Sequence, residues 1–210
     1  MSIKLKGSTD GSVTLQAPAD TSPTGTDKTL ILPTDVGSAN QFLKNGTTAG
    51  TLEYASIAAS DMPAGSILQR QFTNFSTEVQ VAQQSHKDIF SSNTFNAKRA
   101  NSRIHITCHL AEGRRSAGAW QYSVRLLRNG TLVTAALSSG TGVLFDVRRE
   151  SQNDYHGFST FHFYDEPNST ANITYTIQAT RPNSSYETVY FNFASNNPAS
   201  STMIIDEIAQ

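Results

Sequence analysis

Apolar and polar residues alternate in short runs along the chain, and Gly, Pro, Asn and Asp separate the runs. In residues 1–55 the apolar positions form small groups, namely Ile3 and Leu5, Val13 and Leu15, Leu30 to Leu32, Phe42 and Leu43, and Leu52 and Tyr54. Isolated hairpins of this kind are marginal in water, so the segment either stays disordered or borrows its core from other chains. Its alternating runs with turn residues between them favour intertwined β-structure. We therefore predict an extended, intertwined β arm over residues 1–55.

The composition and the hydrophobic pattern of the sequence change after the arm. Residues 56–65 are small, and Pro63 disfavours a helix, so we interpret them as a hinge. Residues 66–210 contain many short runs rich in Val, Ile, Thr, Phe and Tyr, with turn signals between them. No segment has a convincing helical period. The sequence therefore predicts an all-β protein in which residues 66–210 form a jelly-roll-like sandwich.

Two local patterns in this region predict specific elements, a hairpin turn and a strand. Asn129 and Gly130 lie between alternating runs, and both turn positions of a tight hairpin favour positive φ. Residues 172–179 alternate cleanly between apolar and polar side chains, which indicates a half-buried strand.

Composition and charge narrow the classes of function. Charged residues make up 16% of the chain and the formal net charge is −1, whereas soluble domains carry about 25% charged residues. A nucleic-acid-binding protein needs a concentrated basic face, which this composition disfavours. No apolar run reaches the roughly 18 residues of a membrane helix, and no secretory leader is expected. We expect neither nucleic acid nor membrane among the partners.

Candidate catalytic residues are few. The single cysteine, Cys108, shares the strand parity of Ile104 and Ile106, which predicts a buried structural role. The acidic residues are scattered, and the sequence contains no nucleophile elbow and no phosphate-binding glycine loop. We expect no enzymatic activity and no cofactor.

The histidines allow two interpretations. His105 and His109 lie two strand repeats apart and should point to one face, with Thr107 between them. His162 lies on a third possible strand face. These side chains are either hydrogen-bonded on an outer or intersubunit face, or three copies of one histidine meet on a symmetry axis and bind a metal. The first is favoured, and no metal is expected, because no spaced metal motif accompanies them.

Aromatic residues in turn-rich segments are candidates for receptor binding. A ring beside Asn, Asp and Arg suits a sugar, because the ring packs on the apolar sugar face and the polar groups bond the hydroxyls. The alternative is an ordinary loop with a tyrosine packed on its base. The candidate receptor- or glycan-binding residues are Arg149, Asn153, Asp154, Tyr155, His156, Arg181, Asn183 and Tyr186.

Both ends of the chain resemble appendage proteins of tailed bacteriophages. Residues 5–8, 13–18, 25–26, 30–33 and 41–44 are similar to the amino-terminal segment of fibre and appendage proteins, especially those of marine phages. Residues 201–209 resemble the closing strand of their knob domains, and the middle resembles their trimeric tumour-necrosis-factor-like knobs. In this strand, Met203, Ile205 and Ile208 are expected to face inward. The resemblance implies that the arm attaches to the virion. The arm positions expected to mediate attachment are Ile3, Leu5, Val13, Leu15, Leu30 and Leu32.

The resemblance implies a non-enzymatic virion structural protein, assembled in the host cytoplasm. The leading expectation is a homotrimeric tail fibre or receptor-binding appendage that contacts a host surface glycan. A capsid-surface head fibre, decoration or cement protein is the alternative, and a knob with glycan depolymerase activity is less favoured. The partner of the arm would discriminate between the first two. A fibre arm would meet a tail adaptor or nozzle, and a decoration arm would meet the major capsid protein.

Overall fold

The structure, a computed structural model of the chain, describes residues 2–6, 12–16, 29–82, 84–113, 118–133, 145–149, 156–193 and 199–210. The chain divides into two compact units, Met1–Ile57 and Ala58–Gln210. The boundary between the units falls within residues 56–65, the segment interpreted as a hinge. A 3₁₀ helix, Ala59–Asp61, lies in this segment. Among the described residues, no helix combines the length and hydropathy needed to span a membrane.

The amino-terminal unit contains two described hairpins. Strands β1 (Ser2–Lys6) and β2 (Ser12–Gln16) pair antiparallel. Strands β3 (Phe42–Asn45) and β4 (Leu52–Ala55) form the second hairpin. Ile31 adds a parallel bridge at the start of β4, where its N–H donates to Gly50 O at 2.7 Å and its carbonyl accepts from Leu52 N at 2.8 Å. The arm is therefore built from short paired strands.

The carboxy-terminal unit consists of strands joined by turns and loops. Its described strands are β5 (Ile67–Phe75), β6 (Val79–Val81), β7 (Lys87–Ser91), β8 (Phe95–Asn96), β9 (Arg103–Gly113), β10 (Trp120–Arg128), β11 (Thr131–Leu132), β12 (Phe145–Arg149), β13 (His156–Asp165), β14 (Asn172–Ile173), β15 (Tyr175–Thr180), β16 (Val189–Phe191) and β17 (Ser201–Ile208).

The strands form two antiparallel sheets that enclose one core. The first sheet has the order β5-β17-β9-β13, and β16 and β6 continue it beside the end of β9. The second sheet has the order β7-β15-β10, with β11 and β12 on the far side of β10. Strands β8 and β14 form a separate short ladder. Apart from β10 and β12, which pair within the second sheet, the longer strands alternate between the two sheets, as in a jelly roll. The predicted all-β sandwich is confirmed.

The core lies between the two sheets and follows the strand alternation. On β9 the inward side chains include Ile106 and Cys108, both fully buried. Burial raises the pKa of the Cys108 thiol, so the thiol stays protonated and the expected structural role is confirmed. Trp120 is also fully buried and stacks on Tyr122 with ring centroids 5.7 Å apart.

The two sharp local predictions are confirmed. Asn129 and Gly130 have φ of 49° and 78° and connect β10 to β11 as a tight hairpin. The run 172–179 forms β14 and β15, and its apolar side chains are buried at alternate positions. The run breaks at Thr174, whose N–H donates to Asn129 Oδ1 at 2.8 Å. The hairpin turn thus fixes where β14 ends and β15 begins.

The ladder between β17 and β5 shifts register between Glu207 and Ile208, where β5 contains one extra residue, Leu68. Met203 and Ile205 are fully buried as expected. Ile208 was expected to point inward as well, but it is only half-buried, because strict alternation from Met203 and Ile205 places it on the opposite side of β17. Glu207 occupies the inward position instead, and its side chain is fully buried.

Candidate functional site

The arm exposes apolar side chains along its described part. Leu30, Leu32 and Val36 are 62%, 66% and 92% exposed. Exposed apolar side chains cost free energy unless a partner covers them, so this surface suits docking. The other attachment positions lie in the first hairpin, where Ile3 pairs with Leu15 and Leu5 pairs with Val13. Their side chains lie outside the described part of the structure.

A cleft of about 370 Å³ opens beside β4 in the arm. Gly37 lies against the ring of Tyr54, and a Cβ atom at Gly37 would stand 2.6 Å from Tyr54 Cδ1. Only glycine permits this close approach. The cleft is lined by Pro33, Thr34, Asp35, Val36, Gly37, Gln41, Leu52, Glu53 and Tyr54. The lining is more polar than apolar and includes the carboxylates of Asp35 and Glu53.

The candidate receptor-binding residues are only partly described. Asn153, Asp154 and Tyr155 lie outside the described residues. Arg149 ends β12 opposite Trp120, and His156 begins β13 opposite Gly113. For Arg149 and His156, only the main chain belongs to the described part. Their strand pairings place both residues at one end of the sandwich. Residues 181–188, which follow β15, begin at the same end.

The segment that carries Arg181, Asn183 and Tyr186 forms a hydrogen-bonded turn. Arg181 Nη1 donates to the Tyr186 carbonyl at 2.8 Å, and Asn183 Oδ1 accepts from Ser185 N at 2.9 Å. The Arg148 guanidinium carbon lies 6.0 Å from the centre of the Tyr186 ring. A cation over an aromatic face at this distance is attracted by the ring quadrupole.

The arrangement therefore combines both sequence interpretations of Tyr186. Its ring is half-buried, as expected for a tyrosine packed on the base of its loop, while Asn183 and its serine neighbours are exposed. Arg148, which the candidate set did not include, supplies the cation beside the ring. Strand parity along β12 could have singled out Arg148 had its partner loop been known.

The outer face of the first sheet brings His105, His109 and His162 together. We call the outward residues of β5, β17, β9 and β13 on this side the histidine face. His109 Nδ1 lies 2.8 Å from Thr160 Oγ1, and Thr107 Oγ1 lies 3.2 Å from His162 Nδ1. The predicted shared face of His105 and His109 is confirmed, and the hydrogen-bonded interpretation describes the geometry. The face consists of Arg70, Phe72, Asn74, His105, Thr107, His109, Phe158, Thr160, His162, Tyr164, Thr202, Ile204 and Asp206.

His105 sits at the centre of an aromatic stack on this face. Its ring centroid lies 5.5 Å from that of His162 and 4.7 Å from that of Tyr164. The pKa of His105 is lowered, first by desolvation and then by the neighbouring His162, while Asp206 opposes the shift. His105 is therefore held neutral to a lower pH than a free histidine. Within the described residues, no group of three or more metal-ligating side chains converges.

Asp165 and Glu207 are buried acidic residues that the sequence pattern did not predict. The carboxylate of Asp165 accepts from Arg128 Nη1 at 2.8 and 2.9 Å and from the Tyr175 hydroxyl at 2.7 Å. Burial and Asp165 both raise the pKa of Tyr175. The bonds join β13 of the first sheet to β10 and β15 of the second. Because the donors lie 37 and 10 residues away in sequence, on other strands, residues 165–168 alone indicate only a turn.

Glu207 makes a similar internal connection. Its Oε1 accepts from Lys98 N at 2.8 Å and from Ser102 Oγ at 2.7 Å, and its Oε2 accepts from Gln69 Nε2 at 2.7 Å. The carboxylate thus holds the loop before β9 against the closing strand. These contacts stabilise the fold and do not form an open site.

Comparisons with known proteins show a distant likeness in fold. No family model and no curated protein matches the chain. A solved structure of dimeric latent PorU from Porphyromonas gingivalis is 11% identical, with a TM-score of 0.35, over 70% of this chain and 14% of that one. Infectious bursal disease virus, Gt strain, is 10% identical, with a TM-score of 0.34, over 81% and 43% of the two chains. The VP2 subviral particle of the same virus gives the same four values: 10%, 0.34, 81% and 43%.

The chain therefore spans less than half of each of these proteins. It is distantly similar to VP2 and to PorU, and likenesses at this level assign neither a family nor a function. The fold itself defines the class, a jelly-roll-like β-sandwich preceded by a unit of short paired strands.

Proposed function

We propose that the chain is a non-enzymatic structural protein of a virion, a homotrimeric appendage of the tail-fibre or receptor-binding type. The observation that supports this most is the difference in apolar exposure between the two units. The amino-terminal unit exposes Leu30, Leu32 and Val36, whereas the carboxy-terminal unit buries a continuous core between two sheets. An exposed apolar arm on a self-sufficient sandwich suits attachment at one end and presentation at the other.

The arm is the attachment element of the proposal. Its short strands offer main-chain groups for β-augmentation, in which backbone bonds give affinity and alternate side chains give register. The partner is a tail adaptor or nozzle protein of the same particle.

The loops at the end of the sandwich are the receptor-binding element. The 181–188 turn combines exposed Asn183 with the ring of Tyr186 and the cations of Arg148 and Arg181. Ring, amide and guanidinium together suit a sugar, and three copies on a trimer raise the avidity of a weak site. A host surface glycan is the proposed ligand.

A capsid-surface role is the second candidate, and one observation favours it. Tyr186 is half-buried against its own loop, which reduces the ring area available to a glycan. A decoration or head-fibre trimer needs no receptor site, and its arm would bind the major capsid protein.

Locating the protein on intact particles tests both candidates. Cryo-electron microscopy of purified virions should show trimeric density at the tail under the first proposal, and on the capsid shell under the second. Antibody labelling of the carboxy-terminal unit gives an independent location. Particles that lack the protein altogether would overturn both.

A further inference from the structure

The two outer faces of the sandwich differ in character. On the second sheet, outward polar side chains of three strands bond one another: Arg125 Nε donates to Gln178 Oε1 at 2.6 Å, and Gln178 Nε2 donates to Asp88 Oδ1 at 2.6 Å. On the first sheet, Phe72 and Phe158 are 59% and 64% exposed. Large aromatic side chains on a sheet face favour burial against a partner.

The residues of the histidine face lie in rows that cross the four strands. Phe72 pairs with Ile204, Ile204 pairs with Thr107, and Thr107 pairs with His162. The next row contains Tyr164 and His105, whose rings stack at 4.7 Å. Directly opposed residues in a sheet stand within contact distance on the same side. The face therefore presents one connected surface across four strands.

Charge on this face is balanced within the chain. Arg70 donates to Asp206 through Nε at 2.6 Å and Nη2 at 2.9 Å. At the end of β9, Arg103 pairs with Glu166 at 2.7 Å. With neutral histidines, the face carries no net charge. Two identical copies can then approach without repulsion, whereas a strongly acidic or basic partner would gain little.

We infer that the histidine face is the surface through which copies of this chain associate, and that protonation of its histidines releases them. The inference rests on the homotrimer of the proposed function. It assigns the surface that forms the trimer interface and the protonation that weakens this interface. Four strands about 4.8 Å apart and eight residues of about 3.3 Å give a flat area of roughly 500 Å². Projecting side chains enlarge this area toward the roughly 800 Å² per partner of a stable interface.

The groups around each histidine set the effect of pH. His105 faces His162 and Tyr164 on β13 and Asp206 on β17, which Arg70 already neutralises. His109 faces Thr160 and Thr202, and His162 faces Thr107 and His105. Glu166 is bound to Arg103, so within the described part of the face Asp206 is the carboxylate placed to compensate a charge on His105. Association should be complete above the ordinary histidine pKa of about 6.5 and should weaken as the pH falls below it.

Sedimentation velocity of the full chain at micromolar concentration tests the interface. At pH 7.5 the wild type should sediment as a trimer, and Phe72→Glu or Phe158→Glu should sediment as a folded monomer. Both rings are exposed, so circular dichroism should report intact sandwiches. Phe72→Leu keeps the apolar contact, and Gln178→Glu places the same charge on the polar sheet, so both controls should remain trimeric.

The same measurement at pH 5.0 tests the control by protonation. Association of the wild type should weaken by about tenfold for each histidine whose pKa falls by one unit on assembly. The variant His105→Gln/His109→Gln/His162→Gln should stay trimeric at both pH values.

Each departure from these results has a distinct meaning. A wild type that is monomeric at pH 7.5 would overturn both this inference and the homotrimer, and would point to the arm as the cover of the face. A trimer that tolerates both glutamate variants would overturn the interface while leaving the proposed function intact. A trimer that depends on Phe72 but keeps its affinity at pH 5.0 would overturn the protonation step alone.

Discussion

At the scale of single residues, the buried carboxylate of Glu207 links elements that are far apart in sequence. It accepts from the main chain of Lys98 and Arg99 and from the side chain of Ser102. Glu207→Gln would turn an amide N–H₂ toward these donors, and a buried group left without its partner costs roughly 1–3 kcal/mol. We expect a loss of about that size in the free energy of unfolding, measured by urea titration.

Glu166 provides the matched control for this substitution. Its side chain is 54% exposed and pairs with Arg103 at 2.7 Å. Exposed ion pairs contribute about 0–1 kcal/mol, so Glu166→Gln should change the unfolding free energy little. Equal losses in the two variants would show that burial of Glu207 is not the cause.

Tyr186 allows a test of receptor binding. We expect Tyr186→Ala to weaken attachment to host cells by about tenfold, equivalent to 1.4 kcal/mol, because the ring that would pack on a sugar is lost. Tyr186→Phe keeps the ring and should retain attachment. The half-buried ring predicts a stability loss of about 1 kcal/mol for the alanine variant, readable as a small drop in Tm. Unchanged attachment in Tyr186→Ala would favour the capsid-surface alternative.

Local residue roles could be predicted where the residue type and its strand parity agree. Cys108 is buried as expected, because an apolar residue on an inward parity has one favourable place. Glu207 and Asp165 could not be predicted, since a charged residue in a strand ordinarily faces water. Their donors stand as far away as 138 residues in sequence, between Glu207 and Gln69. Only the tertiary fold supplies those partners.

At the scale of elements, β17 is the strand on which the first sheet depends. It pairs with β5 on one side and β9 on the other. Deletion of residues 201–210 would expose two strand edges and remove the buried side chains of Met203 and Ile205. We expect insoluble protein, because unpaired edges template aggregation.

Removal of Gln210 alone is the control for this truncation, because its side chain is exposed and lies beyond β17. Solubility after expression and the cooperativity of thermal melting are the measurements. A soluble truncation at residue 200 with a sharp melting transition would show that β17 is peripheral to the fold.

Strand positions were more predictable than strand order. Alternation and turn residues locate β10, β15 and β17, because these signals are local. The pairing of β5 with β17 joins opposite ends of the sandwich sequence, and no local pattern encodes it. The register shift at Glu207 and Ile208 is invisible to a strict alternation for the same reason. The histidine face likewise required the order of β17, β9 and β13.

At the scale of the whole molecule, the two units should separate in function. Residues 58–210 have their own core, so deletion of residues 1–57 should leave a sandwich that melts cooperatively and still associates. Particles complemented with this truncated protein should lack it, because the exposed apolar positions of the arm are gone. A full-length Leu30→Asp/Leu32→Asp variant keeps the arm but charges its 62% and 66% exposed side chains, and should also incorporate poorly. Gel analysis of purified particles gives the result, and normal incorporation of the truncated protein would move the attachment site to the sandwich.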